Sequence, residues 1–536
     1  MVVTACPHAS VVGRSILEKG GNAIDAAVAV GFALAVTFPA AGNIGGGGFM
    51  LVRTSSGENC CIDFREQAPG AAHGDMYLDE RGEVVPGLST LGHGAAGVPG
   101  TVAGLYRAHQ LYGSMPWREL IAPAIILARE GFAVDRKLAA SLERLQQYHD
   151  RFPALGVFMA AGGTSLQAGD TLRQPDLART LGRIAEEGPG DFYGGETADL
   201  IVREMSAGNG LITHQDLASY RVVLREPVAG SYRGCEIISA PPPSSGGAVL
   251  LQILNILEGF PVHDLVFHSE RHIHFMAEAE KRAYADRARY MGDPDFIDIP
   301  VSDLISKEYA DYARTTIGDL ATPAARLGGG GLERFEHGET THYSILDRFG
   351  NAVATTTTLN GSFGCKVVVQ GGGFLMNNEM DDFSIKPGVP NMYELTGGRA
   401  NAIEPGKRML SSMTPTVVLK EGTVFLILGT PGGSTIITTV AQVIINIVDF
   451  GMHPEDAVGA PRFHHQWLPD RIGYEPGAFA EQLVERLGVR GHECEERTGF
   501  IGDLQLILVN DTGMCGVADP RGGGTAEGID TITSKR

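Results

Sequence analysis

Cysteines spaced for a metal or redox motif are missing from this chain. It has seven, an odd number, with no CxxC, and the adjacent Cys60 and Cys61 cannot easily bridge each other. A disulfide framework is therefore not expected, and the cysteines are expected to be free and mostly buried. Positive charge is also short: 43 Lys and Arg against 63 Asp and Glu give a net charge of −20. The basic residues are scattered, so nothing overrides a field that repels nucleic acid and anionic membranes. The longest apolar run, Ala26 to Val36, has the length of a core helix and is too short to span a bilayer. The opening MVVTACPHAS lacks a charged region leading into an apolar one. Two expectations follow, a cytoplasmic protein or one whose leader has been removed.

Nucleotide and zinc signatures are missing around the glycine run as well: Gly45 to Gly48 form no GxGxxG, and the chain has no GxxxxGKS/T and no HExxH. The four glycines Gly45 to Gly48 therefore read as a close approach of backbones rather than a phosphate cradle. His268, His272 and His274, like the pair His464 and His465, read as core or surface histidines rather than zinc ligands.

What the chain has in excess is glycine, 72 of 536 residues, which implies many tight turns. The length alone suggests two to four domains. Residues 10–36 predict a helix, amphipathic and then wholly apolar, and FMLVRTSSGENCCIDFRE predicts two strands about a Ser-Ser-Gly turn. Helical patterns recur at 101–112, 118–130, 247–259 and 270–291, with APPPSSGG (240–247) as a loop. Residues 326–340 hold a second run of four glycines and read as a flexible exposed segment. Beyond them the texture is strand-like, in THYSILD, AVATTTTLN and KVVVQ and in hairpins turning at Glu421-Gly422 and near Asn510 to Gly513. GGSTIITTVAQVIINIVDFGM predicts a glycine pair, a serine cap and a long buried helix.

The stretch ETTHYSILDRFGNAVATTTTLN (339–360) concentrates hydroxyls at the junction of these two textures. Threonines on a strand ordinarily serve β-propensity and cross-strand pairing. Thr340 differs by position, as the first residue of a strand just after a glycine-rich segment. A threonine hydroxyl needs a base beside it to become a nucleophile. A cut before Thr340 would supply one, because the freed α-amino group has a pKa of about 7.7–8.0 and lies on the same residue. TPGGS, Thr430 to Ser434, places two backbone N–H groups at a helix start, where a developing oxyanion can be held. NNEMDDFS, Asn377 to Ser384, offers acidic and amide groups suited to an ammonium.

These stretches resemble the γ-glutamyltransferase (γ-glutamyltranspeptidase) family of N-terminal-nucleophile hydrolases. The segments that carry the resemblance are GGNAIDAAVAVGFALAVTFPAAGNIGGGGFMLVR (20–53), DFREQAP (63–69), TTHYSILDRFGNAV (340–353), TLN (358–360), NNEMDDFS (377–384), KPGVPNMYEL (386–395), KRMLSSMTPT (407–416), GTPGGSTIITT (429–439), PRFHHQWLPD (461–470) and DPR (519–521). They run in family order across nearly the whole chain.

The resemblance implies an α+β fold, the four-layer αββα sandwich. It also implies self-cleavage between Glu339 and Thr340 into a large chain, 1–339, and a small chain, 340–536, forming one intertwined unit. Thr340 matches the nucleophile, Thr358 the threonine that orients it, and Gly432 and Gly433 the oxyanion hole. Arg65 matches the clamp on the substrate α-carboxylate, aided by Ser411 and Ser412. Asn360, Glu379 and Asp382 match the groups that hold the α-amine, and Glu379 stands where many bacterial members carry Gln. Tyr393 matches the tip of a lid loop. The implied donors are glutathione and other γ-glutamyl compounds, the acceptors water, amino acids or peptides, with no metal or organic cofactor. The family location is periplasmic or secreted, set against the leaderless start of this sequence. The alternatives are a glutaryl or cephalosporin acylase of the same fold and a non-enzymatic homologue.

Overall fold

The computed structural model describes residues 1–160, 162–327 and 338–529. Two antiparallel sheets lie face to face. The larger runs in the order Thr525–Glu527, Val2–Thr4, Gly338–Leu346, Ala352–Gly361, Gly47–Arg53, Asn59–Asp63, Val223–Arg225. The smaller runs Gly513–Ala518, Gln505–Asn510, Thr423–Gly429, Thr416–Lys420, Cys235–Ser239, Val228–Tyr232. Period-two alternation decides which side chains go where. Phe49, Leu51, Val417 and Ile427 meet between the sheets, whereas Met50, Val52, Tyr343 and Ile345 face outward into a layer of helices. That outer layer includes Pro7–Glu18, Ala23–Thr37 and Thr101–Tyr112. Helices Gly246–Glu258, Glu270–Tyr290 and Thr435–Val448 cover the other sheet.

The result is the expected four-layer αββα sandwich, an α+β fold. Strands of both sheets share one inter-sheet layer. All seven cysteines are free, four of them buried. No helix among the described residues is long and apolar enough to cross a membrane.

The structure corrects the local reading in four places. Residues 10–36 form two helices, because Gly20 turns with φ +96° and Asn22 caps the second through a capping box with Asp25. KVVVQ is no strand: Lys366 sits at φ +69° and Val368 makes only an isolated bridge to Leu375. Ser434 stands at the start of its helix but makes no side-chain cap. The Thr340 strand begins two residues earlier than expected, at Gly338, and Thr340 is 5% exposed. The flexible segment expected over 326–340 falls largely outside the described residues.

Candidate active site

Two neighbouring strands bring the threonines together. Thr340 lies directly opposite Thr358 in antiparallel register, and its Oγ1 donates to Thr358 Oγ1 at 3.4 Å. Thr358 Oγ1 also accepts from the Asn360 backbone N–H at 2.8 Å, which the irregular register between Thr358 and Gly361 allows. On the far side Thr358 pairs with Gly47. The glycine run is needed there: a Cβ on Gly46 would lie 2.1 Å from the Thr358 carbonyl oxygen, and one on Gly48 2.3 Å from that of Thr356. The other hydroxyls are structural. Thr356 bonds His342 Nδ1 at 2.8 Å, and Thr357 donates to the Gly47 carbonyl at 2.8 Å.

A buried charge cluster forms the floor of the pocket. Arg65 Nη1 lies 2.6 Å from Glu379 and 3.5 Å from Glu66, and Nη2 lies 2.5 Å from Asp382. Burial pushes Glu66 up to about 8 and raises Glu379 and Asp382 above the usual carboxylate range, while the Arg65 charge opposes all three shifts. The clamp Arg65 and the acids Glu379 and Asp382 touch each other directly. Arg65 pairs with these acids because an unpaired buried charge is costly.

The TPGGS loop bends through two backbone conformations suited to glycine, Gly432 at φ +137° and Gly433 at φ +57°, before the helix Thr435–Val448. Neither the Gly432 nor the Gly433 N–H donates to a protein acceptor among the described residues. Tyr393 lies over this loop, so that a Cβ on Gly433 would come within 2.6 Å of its ring. The Tyr393 hydroxyl donates to the Asn360 carbonyl at 2.7 Å, and Asn360 Nδ2 donates to the Asn378 carbonyl at 3.0 Å. Asp381 holds the segment before Tyr393 by accepting from the Met392 N–H at 2.9 Å.

Thr340 sits where two cavities meet. A small inner one is lined by Arg65, Thr358, Asp382, Ser411, Ser412 and Gly433; the outer cleft, about 700 Å³, is lined by Asn378, Gly432, Pro431 and Phe500 among others. Tyr393 borders both. Every expected site residue with a described side chain is therefore gathered in one place, although Asn360 and Glu379 reach it by different routes. Asn360 lines the inner cavity itself, whereas Glu379 lies behind, against Arg65.

Sequence reasoning missed three groups. Asn43 ties the site strands together, its Nδ2 donating to the Thr358 carbonyl at 2.9 Å and its Oδ1 accepting from the Gly46 N–H at 3.0 Å. Tyr284 donates to the Ser434 carbonyl, and Arg287 donates to Ser412 Oγ at 3.2 Å. The only signal for the last two was polar residues three apart on one helix. His268 and His272 pack in an aromatic cluster with Phe267, Phe450 and Phe463. Among the described residues no three His, Cys, Asp or Glu side chains are grouped to hold a metal ion.

A family profile described as Gamma-glutamyltranspeptidase matches residues 9–529. The chain belongs to that family. It is 48% identical over 527 residues to the glutathione hydrolase proenzyme of Escherichia coli (strain K12), covering 97% of this chain and 90% of that one. Among solved structures it matches the cephalosporin acylase of Bacillus halodurans with a TM-score of 0.84 and 30% identity, over 98% of this chain and 94% of that one. It matches γ-glutamyltranspeptidase of Helicobacter pylori with a TM-score of 0.59 and 49% identity, over 60% of this chain and 93% of that one. The fold of this γ-glutamyltranspeptidase-family chain is accordingly that of the N-terminal-nucleophile hydrolases.

Proposed function

We propose that this chain is a γ-glutamyltransferase and glutathione hydrolase whose nucleophile is Thr340, freed by cleavage of the Glu339–Thr340 bond. One observation carries the reading: Thr340 lies where two cavities meet, with Gly433, Arg65 and Asp382 lining the inner one and Gly432 the outer, and the N–H groups of both glycines are uncommitted among the described residues. In the precursor Thr340 Oγ attacks the Glu339 carbonyl, the acyl group moves from nitrogen to oxygen, and water opens the ester. This leaves chains 1–339 and 340–536 and a free α-amine on Thr340.

That amine then takes the proton of its own hydroxyl as Oγ attacks the γ-carbonyl of a donor. The oxyanion forms against Gly432 and Gly433. The proton passes to the leaving amine, for glutathione the α-amine of cysteinylglycine, and a γ-glutamyl ester remains on Thr340. Water, or the amine of an amino acid or peptide entering by the outer cleft, attacks that ester and restores the hydroxyl.

Arg65 takes the donor's α-carboxylate with Ser411 and Ser412, and Asn360, Glu379 and Asp382 hold its α-ammonium. The contacts among Arg65, Glu379 and Asp382 suit this task. A donor carrying both charges on one carbon exchanges partners with them and strands no charge.

The likeness to a cephalosporin acylase supports a second reading, a glutaryl acylase of the same fold. A glutaryl group has no α-ammonium, so it leaves Asp382 unmatched. We expect Asp382→Ala to lower kcat/KM for a γ-glutamyl anilide by roughly 30- to several-thousand-fold, the effect of breaking a buried charge pair. A glutaryl anilide should be spared. Wild-type preference for the glutaryl compound, or equal loss of both activities in the variant, rejects the γ-glutamyl assignment.

A further inference from the structure

Behind the inner cavity lies one charge that the mechanism leaves unused. Arg287, on the helix Glu270–Tyr290, is 5% exposed, and among the described residues no carboxylate lies within ion-pair distance of it. Its partners are hydroxyls: Nε donates to Ser245 Oγ at 2.8 Å and Nη2 to Ser412 Oγ at 3.2 Å. Its neighbours by charge are Tyr284, Asp382 and Arg65, and it lines a small cavity with Asp382, Asn391 and Leu395. Burial lowers its pKa, but a guanidinium remains protonated at neutral pH. An unpaired buried cation is costly in any fold, and this one sits directly behind the donor pocket.

The hydrogen bonds give it a direction. Ser412 Oγ accepts from Arg287, so its lone pair is engaged from behind while its proton is free to point elsewhere. Ser411 Oγ accepts in the same way from the Met413 N–H at 3.0 Å. Among the described residues neither hydroxyl donates to a protein acceptor, and both line the inner cavity beside Thr340. Ser245, the other partner of Arg287, donates to the Ser411 carbonyl at 2.7 Å. A single guanidinium thus backs both serines. The Arg65 charge, by contrast, is already matched by Glu379 and Asp382.

We propose that Arg287 is a positioning residue that makes the pocket select donors bearing an α-carboxylate, supplying through Ser412 the positive charge that Arg65 has shared with two acids. This rests on the γ-glutamyl reading above. When the donor enters, its carboxylate accepts from Ser411 and Ser412, and the polarised Ser412 hydroxyl becomes a stronger donor.

The test compares a γ-glutamyl anilide with a 4-aminobutyryl anilide, which keeps the ammonium and lacks the α-carboxylate. Wild-type turnover of the first compound tests the underlying reading by itself; the change in donor ratio on substitution tests Arg287. Arg287→Gln should raise KM for the γ-glutamyl donor roughly ten- to a hundredfold, the range for a lost charged hydrogen bond. The kcat for that donor should move little, and kcat/KM for the 4-aminobutyryl donor should fall only slightly. Arg287→Lys should recover part of the KM, and Arg287→Gln combined with Ser412→Ala should lose less than the product of the single losses. Should Arg287→Gln not fold, the donor ratio is read on Arg287→Lys, where a selective rise in γ-glutamyl KM supports the role. Equal loss of both donors, or an unchanged γ-glutamyl KM, overturns it and leaves Arg287 a scaffold for the Ser245 loop.

Discussion

A threonine hydroxyl is a weak nucleophile, and the side chain nearest along the strand gives Thr340 no help. His342 is spent on Thr356 and Ser344, and burial pushes its pKa down to about 3. The base we propose is the α-amine of Thr340 itself, which would tie activity to cleavage. Thr340→Ala should remain one uncut chain on a denaturing gel, whereas Thr340→Ser, with a primary hydroxyl, should still yield two. Two fragments from the alanine variant with a new terminus at 340 would refute self-cleavage.

The same scale holds a pH signature in Glu66. Burial raises its pKa from 4.5 to about 8, so the folded protein keeps a proton that the unfolded chain releases. A raised folded-state value contributes stability that is fully present below about pH 4.5 and is lost as pH rises toward 8. Glu66→Gln mimics the protonated form and cannot lose it. Its melting temperature relative to wild type should therefore rise steadily between pH 5 and pH 8; a constant difference would show that Glu66 is already ionised in the fold.

Among the elements, the loop Thr430 to Ser434 carries the strictest demand. Valine at 433 meets two obstacles: the backbone at φ +57° disfavours a β-branched residue, and its Cβ would strike the Tyr393 ring at 2.6 Å. We expect Gly433→Val to lower kcat by roughly 10²–10³-fold, the typical effect of one lost oxyanion donor. Near-normal turnover in a folded variant would remove this loop from the reaction. Periodicity and turn chemistry made most such elements legible, among them Thr101–Tyr112 and the Glu421-Gly422 hairpin, whose turn residues both have positive φ. It failed where a tertiary contact overruled local pattern. KVVVQ has strand composition, yet its hydrogen bonds go to Phe374 and Met376 across a loop rather than to a neighbouring strand.

At the scale of the molecule, both sheets draw strands from either side of position 340. Gly338–Leu346 lies beside Val2–Thr4, and Ala352–Gly361 beside Gly47–Arg53; Thr416–Lys420 lies beside Cys235–Ser239. A cut between 339 and 340 leaves these ladders and the inter-sheet core intact. Cleaved protein should therefore elute as one species in native buffer and separate into two chains only in denaturant. Separation without denaturant would mean that the interleaved strands do not hold the halves together.

The sequence by itself determined the chemistry available to this protein. Hydroxyl, glycine pair, guanidinium and acids stand in recognisable order because each function demands a particular residue type, and residue type is written locally. Strand alternation and helix periodicity marked most of the elements, whereas their four-layer arrangement was implied by the family resemblance and not by the periodicity. Only the tertiary structure decided which charges meet. That Arg65 touches Glu379 and Asp382, that Asn43 binds the end of the Thr358 strand, and that Arg287 stands unpaired behind Ser412 depend on residues far apart in the chain. Local pattern carries no record of such distances; packing brings the groups together, and exclusion of water makes their charges matter.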